Sequence, residues 1–150
     1  MHAMPDANLQ SLLDAMAEVH SILGPNHGSE VYKAALGIEL DLRQIPYQRE
    51  APLPVWYRGE RLGTNQPVSF LCFDGVLLEP KARALTLTDE TNLMNVVRGT
   101  RSRVALLASF AGDALHVRRV RSQGLVSSVD TLTSPLEPQP SSGDDPVPPL

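Results

Sequence analysis

The hydrophobic period of this chain changes once, at Pro46, and the change restricts it to folds that combine helices with a sheet. Before Pro46 the apolar residues recur at helical spacing. Residues 7–23 place Leu9, Leu12, Leu13, Met16, Val19, Ile22 and Leu23 on one stripe, with Asp6 as a candidate N-cap and Gly24-Pro25 as the stop. A second helix fits residues 30–43, with Val31, Ala34, Ala35, Ile38 and Leu42 on one side and Ser29 as its cap. After Pro46 the pattern alternates. Strands are predicted over 47–50, 52–57, 68–73 and 76–83, with turns at Arg58-Gly59-Glu60-Arg61 and Asp74-Gly75. Residues 89–98 return to helix, capped by Thr88 or Asp89 and closed by Gly99. Two more strands, 104–110 and 114–120, meet at Gly112-Asp113. The order α-α-β-β-β-β-α-β-β predicts an α/β domain, a mixed sheet flanked by helices.

Charge and proline divide the chain in two. Six of the 13 prolines fall in the last 16 residues, and four acids but no base follow residue 129. Residues 1–129 therefore balance 13 acids against 13 bases, and the formal charge of −4 belongs to the end of the chain. Such a segment buries too little apolar surface to offset its conformational entropy. The expected division is a domain over 1–125 and a disordered, proline-rich acidic tail over 126–150. That tail could also serve as a docking peptide. One cysteine excludes a disulfide framework and any cysteine-built metal centre. No apolar run approaches the ~20 residues of a membrane span and no leader opens the chain, so a cytoplasmic protein without membrane contact is expected.

Few residues carry chemistry. His2, His20, His27 and His116 share no metal-ligand spacing, and His20 lies among polar positions of the first helix. Cys72 sits in an apolar strand and reads as a buried structural thiol. Residues 24–28, Gly-Pro-Asn-His-Gly, precede a helix and could cradle an anion, although a turn between helices explains them as well. The informative stretch is 75–82, Gly-Val-Leu-Leu-Glu-Pro-Lys-Ala. Residues i and i+2 of a strand share a face, so Glu79 and Lys81 project together from the end of an apolar strand. A carboxylate and an ammonium aimed at one spot suit a hard cation and an activated water. They equally suit an ordinary ion pair at a strand end. Pro80, between them, points to a bulge or an edge strand. Turn length sets what Glu79 faces: a two-residue turn pairs it with Phe70, and a three-residue turn brings Ser69 onto its face.

Runs along residues 18–25, 30–36, 38–40, 45–50, 52–63, 79–82, 93–95 and 104–110 together resemble the GxxExxY family, a branch of the PD-(D/E)XK nuclease-like superfamily. The resemblance spans about residues 15–120 and implies that superfamily's fold. It also implies a Mg²⁺-dependent phosphodiesterase site, and here the chain departs from the pattern. The family's helical glutamate, three residues before the tyrosine matched by Tyr32, is Ser29, and its motif glycine is Asn26. The metal-binding aspartate ten residues before the E-x-K glutamate is Ser69, and the glutamine of the following helix is Asn92. Only Glu79 and Lys81 remain as catalytic residues, with Glu79 a weak lone metal ligand.

The resulting expectation is an inactive nuclease fold that binds or assembles with a protein partner or with itself and needs no cofactor. The alternative is a DNA or RNA endonuclease that uses Mg²⁺ through Glu79 and Lys81. Arg98, Arg101, Arg103, Arg118 and Arg119 lie close in sequence and offer a candidate nucleic-acid surface. Self-association could also run through an open edge at residues 52–57.

Overall fold

The two amphipathic segments before Pro46 form α1 (Asp6–Leu23) and α2 (Ser29–Leu42), and the alternating segments after it build one sheet. A computed structural model describes residues 6–100, 102, 104–123 and 126–132. The strands are β1 (Tyr47–Tyr57), β2 (Glu60–Cys72), β3 (Val76–Lys81), β4 (Val104–Ser109), β5 (His116–Gln123) and β6 (Val126–Leu132), with α3 (Leu87–Thr100) between β3 and β4. Spatial order follows chain order. All neighbours are antiparallel except β3 and β4, which run parallel because α3 carries the chain back across the sheet. No helix among the described residues is long and apolar enough to cross a membrane.

Each face of the sheet has its own core. Leu12, Met16 and Val19 of α1 and Tyr32, Leu36 and Leu40 of α2 cover Phe70, Val76, Leu78 and Leu106. On the other face, Leu93 and Val97 of α3 cover Ala51, Val68, Leu77, Ala105 and Leu107. β4 is buried along its whole length, as a strand covered on both faces must be.

Helix α2 buries the face opposite to the one its periodicity suggests. Most of the predicted stripe lies outside, with Val31 43%, Ile38 63% and Leu42 73% exposed, and only Ala35 of it packs against the core, while Tyr32, Leu36 and Leu40 are fully buried. Both stripes recur at three- and four-residue spacing, so period alone does not choose between them. The Tyr32 side decides because it removes more apolar area from water and satisfies its own polar atom. The Tyr32 ring stacks on Phe110 with centroids 4.7 Å apart, and its hydroxyl donates to the Gly24 carbonyl at 2.6 Å. That bond also holds the turn between the helices, where Asn26 takes φ 77°, a conformation asparagine tolerates better than most residues. Gly28, not Ser29, is the N-cap of α2, and no side chain caps this end.

Other expectations change in detail. The strands read over 47–50 and 52–57 are one strand, kinked where Glu50 takes φ 50°. A two-residue turn, Arg58 and Gly59 with φ 51° and 82°, joins Tyr57 to Glu60. It is the left-handed pair that matches strand twist, and glycine meets it without strain. β1 is an edge strand as expected, but Pro52 and Pro54 remove two of its N–H groups, which makes it a poor template for another strand. The sheet continues past the boundary set at residue 125, because β6 pairs with β5 from Gln123↔Val126 to Val117↔Leu132. The rest of the expected tail, 133–150, lies outside the described residues. His20 is buried rather than on a polar face: its Nε2 donates to the Gly112 carbonyl at 2.8 Å.

The two faces of α2 make a direct test. Leu36→Ala should cost about 2–5 kcal/mol of stability, whereas Ile38→Ser should stay within about 0.5 kcal/mol. Urea unfolding of the two variants checks which stripe is core.

Candidate functional site

The β2–β3 hairpin decides what Glu79 faces. Cys72 pairs with Val76, Leu71 with Leu77 and Phe70 with Leu78, so three residues, Phe73, Asp74 and Gly75, make the connection. Phe73 and Asp74 both have positive φ, 53° and 61°, and the Gly75 N–H closes the turn on the Cys72 carbonyl at 3.1 Å. The longer of the two turns considered is therefore the one formed, and it sets Ser69 opposite Glu79.

Backbone pairing stops at Phe70↔Leu78, one step before these residues meet. The Glu79 carboxylate takes over. Its Oε2 accepts the Ser69 N–H at 2.8 Å and its Oε1 accepts the Ser69 hydroxyl at 2.8 Å. Ser69 is buried and Glu79 half-buried, so water competes for these bonds only from the cleft side. Pro80 follows on a central strand, neither bulged nor at an edge. The β3–β4 register runs through it without a break, and β2 pairing has already ended, so no β2 acceptor loses a donor there.

Lys81 lies two residues on, on the same face. Its ammonium has no ion-pair or hydrogen-bond partner among the described residues. Glu79, Lys81 and Asn92 line one cleft of about 130 Å³ between β3 and α3. Ser69 adjoins it through Glu79. Ser29 does not line it. Four of the five predicted positions thus come together, and Ser29 on α2 stays apart. Among the described residues, no three His, Cys, Asp or Glu side chains gather in a way that could hold a metal ion. A hard cation in such a cleft leans on at least two carboxylates. Two carboxylates border this cleft, but both Glu79 oxygens accept from Ser69 and both Asp89 oxygens are taken by Arg83, so the residues present do not fit Mg²⁺.

The cleft also contains residues that pattern reading missed. Gln66 of β2 lines it, and a second cleft of about 390 Å³ adjoins it, sharing Gln66, Asn92 and Val96 and adding Asn95. The only signal in the sequence was Asn92 and Asn95 three apart, hence on one side of a helix. Asp89 borders the first cleft and fixes α3. It accepts the Thr86 N–H at 2.9 Å while its own N–H donates to the Thr86 hydroxyl at 3.1 Å. This reciprocal cap starts the helix at Leu87 rather than Asp89. The same carboxylate takes both terminal nitrogens of Arg83, at 2.6 and 2.7 Å. The Arg83 pair and the Thr86 bonds hold the Asp89 carboxyl well below the usual carboxylate range, against the opposing effect of burial.

The candidate arginine surface separates. Arg118 and Arg119 are consecutive on β5 and pair with Leu107 and Leu106, which belong to opposite cores. Arg118 thus points to the α3 side, where it donates to Glu90, and Arg119 to the other. Arg98 stands exposed in the last turn of α3. Arg101 and Arg103 lie outside the described residues. Cys72 is fully buried, and burial pushes its thiol up to about 12, which suits a packing role and not a nucleophile. Tyr47 contacts Phe70 and donates towards the Gly37 carbonyl and Asp41.

A parallel pair joined by a helix, a hairpin feeding the first of those strands and a Glu-x-Lys at its end define a nuclease-like α/β fold. Residues 6–121 match the family model of the PD-(D/E)XK nuclease superfamily, and the chain belongs to that superfamily. No curated protein matches the chain.

Asp89 generates a pH prediction. Because its folded-state pKa is depressed, its stabilisation is complete above the unfolded value of ~3.9 and is lost as pH falls through the folded one. Asp89→Asn should cost about 0.5–2 kcal/mol at pH 7 through the weakened cap. It should also flatten the loss of stability below about pH 4. Thermal melts of both proteins from neutral to acid pH measure this.

Proposed function

We propose that this chain is a catalytically inactive PD-(D/E)XK fold of the GxxExxY type, working as a protein-binding or assembly module. The observation that carries the reading is the Ser69–Glu79 pair: both carboxylate oxygens that would ligate a cation accept hydrogen bonds from Ser69. Two carboxylates facing each other across β2 and β3 would repel and draw in a cation. A hydroxyl and an N–H facing a carboxylate leave it satisfied without one. The positive φ of Asn26 supports the GxxExxY assignment, since the family has glycine there and glycine adopts that conformation readily. The exposed stripe of Val31, Ile38 and Leu42 on α2 supports a role in assembly.

The competing reading, a Mg²⁺-dependent phosphodiesterase, is favoured by Glu79, Lys81 and Asn92 sharing one cleft. Incubation of the chain with plasmid and single-stranded DNA or RNA in Mg²⁺ or Mn²⁺ separates the two. No cleavage is expected. Cleavage that Lys81→Ala abolishes overturns the proposal. Thermal stability gives an independent check. The wild-type melting temperature should not move with about 10 mM Mn²⁺, whereas Ser69→Asp should become metal-dependent. A site with Kd of about 1 mM would add about 1.4 kcal/mol at that concentration.

A further inference from the structure

We infer that the groove between α3 and the β1–β2 hairpin binds an extended peptide, gripped along its main chain by Gln66, Asn92 and Asn95 and through a carboxylate at Lys81. The inference rests on the reading of the chain as a binding module and names what that module takes. The two clefts form one channel because they share Gln66, Asn92 and Val96. Its α3 wall presents Asn92 and Asn95, about 4.5 Å apart along the helix axis. Gln66 faces them from β2, so amides flank the channel on both sides. None of these three amides has a hydrogen-bond partner among the described residues. Gly99 and Val55 line the far end.

Chemistry selects the ligand. A side-chain amide offers one acceptor and two donors, the complement of a peptide unit's N–H and C=O. Apolar Val55, Leu93 and Val96 between the amides suit the side chains of such a strand. A nucleic-acid strand makes other demands: repeated cations for its phosphates and aromatic faces for its bases. The described lining has neither an arginine nor an aromatic ring, and its one cation is Lys81. Because Glu79 is held by Ser69, Lys81 is available to a carboxylate carried by the peptide.

A random dodecapeptide library displayed on phage, selected against the full chain, supplies the probe. Enriched sequences, made as synthetic peptides, are then titrated by calorimetry. Gln66→Ala and Asn95→Ala should each weaken binding by about tenfold, since each removes main-chain hydrogen bonds. Leu87→Ser, at the exposed start of α3, should leave it unchanged. Lys81→Ala should weaken an acidic peptide and have no effect on its Asp→Asn or Glu→Gln counterpart. Circular dichroism melts confirm that each variant is folded. Failure to enrich any peptide, or enrichment of peptides indifferent to Gln66 and Asn95, overturns the inference. So does a dT20 oligonucleotide whose binding depends on those residues when no peptide's does. If peptides fail while plasmid stays uncut, this inference falls and the inactive fold stands. If a peptide binds and plasmid is cut through Lys81, the reverse holds.

Discussion

The register of β2 on β3 is the constraint on which the centre of this molecule depends. A connection one residue shorter would turn every β3 side chain to the opposite face and bury Glu79 and Lys81 beneath α1 and α2. The three-residue turn avoids this at a local cost. Phe73, a bulky residue, takes φ 53°, and its ring packs at the margin of the α1–α2 core. The Phe73 N–H donates to the Pro46 carbonyl at 3.0 Å, tying the turn to the chain where it leaves α2. Local strain is thus held in place by contacts with both helices and sheet.

Once register is set, α3 determines the shape of the cleft. The helix returns the chain from β3 to a parallel β4, and its start is fixed by Asp89, whose carboxylate accepts two bonds from Arg83 and one from the Thr86 N–H while its backbone N–H donates to the Thr86 hydroxyl. Arg83 is just past the end of β3, and its carbonyl accepts the Ser109 hydroxyl at 2.7 Å at the end of β4. Both ends of the crossover are therefore linked at one corner. The β1–β2 hairpin forms the facing wall.

Much of this was legible in the residues and some was not, for identifiable reasons. The three helices, the Arg58-Gly59 turn and the common face of Glu79 and Lys81 follow from period and turn chemistry, which are local, although three strands rather than four precede α3 and three rather than two follow it. The superfamily fold was legible through resemblance, and the family match agrees with it. What was missed depends on distant parts of the chain. His20 is buried because Gly112, 92 residues away, brings it a carbonyl. The inner face of α2 is set by Phe110 stacking on Tyr32. β6 is a short β-branched segment at the head of a stretch dominated by Pro, Ser and Asp, and average composition conceals it. Gln66 and Asn95 belong to no motif, and only the meeting of β2 with α3 gives them a common location.

The replacement at residue 69 does more than remove a ligand. An aspartate there would place two negative charges across adjacent strands in a partly buried cleft, an arrangement that favours binding a cation or retaining a proton. Serine reverses the requirement. Its hydroxyl and backbone N–H both donate to Glu79, and the carboxylate becomes a tie between β2 and β3 just where backbone pairing ends. The Glu79 carboxylate thereby secures the wall of the cleft. The positive charge of Lys81 is left facing the same channel as three unpaired amides. The proposed inactivity towards nucleic acid and the proposed peptide groove both trace to one hydrogen-bonded pair.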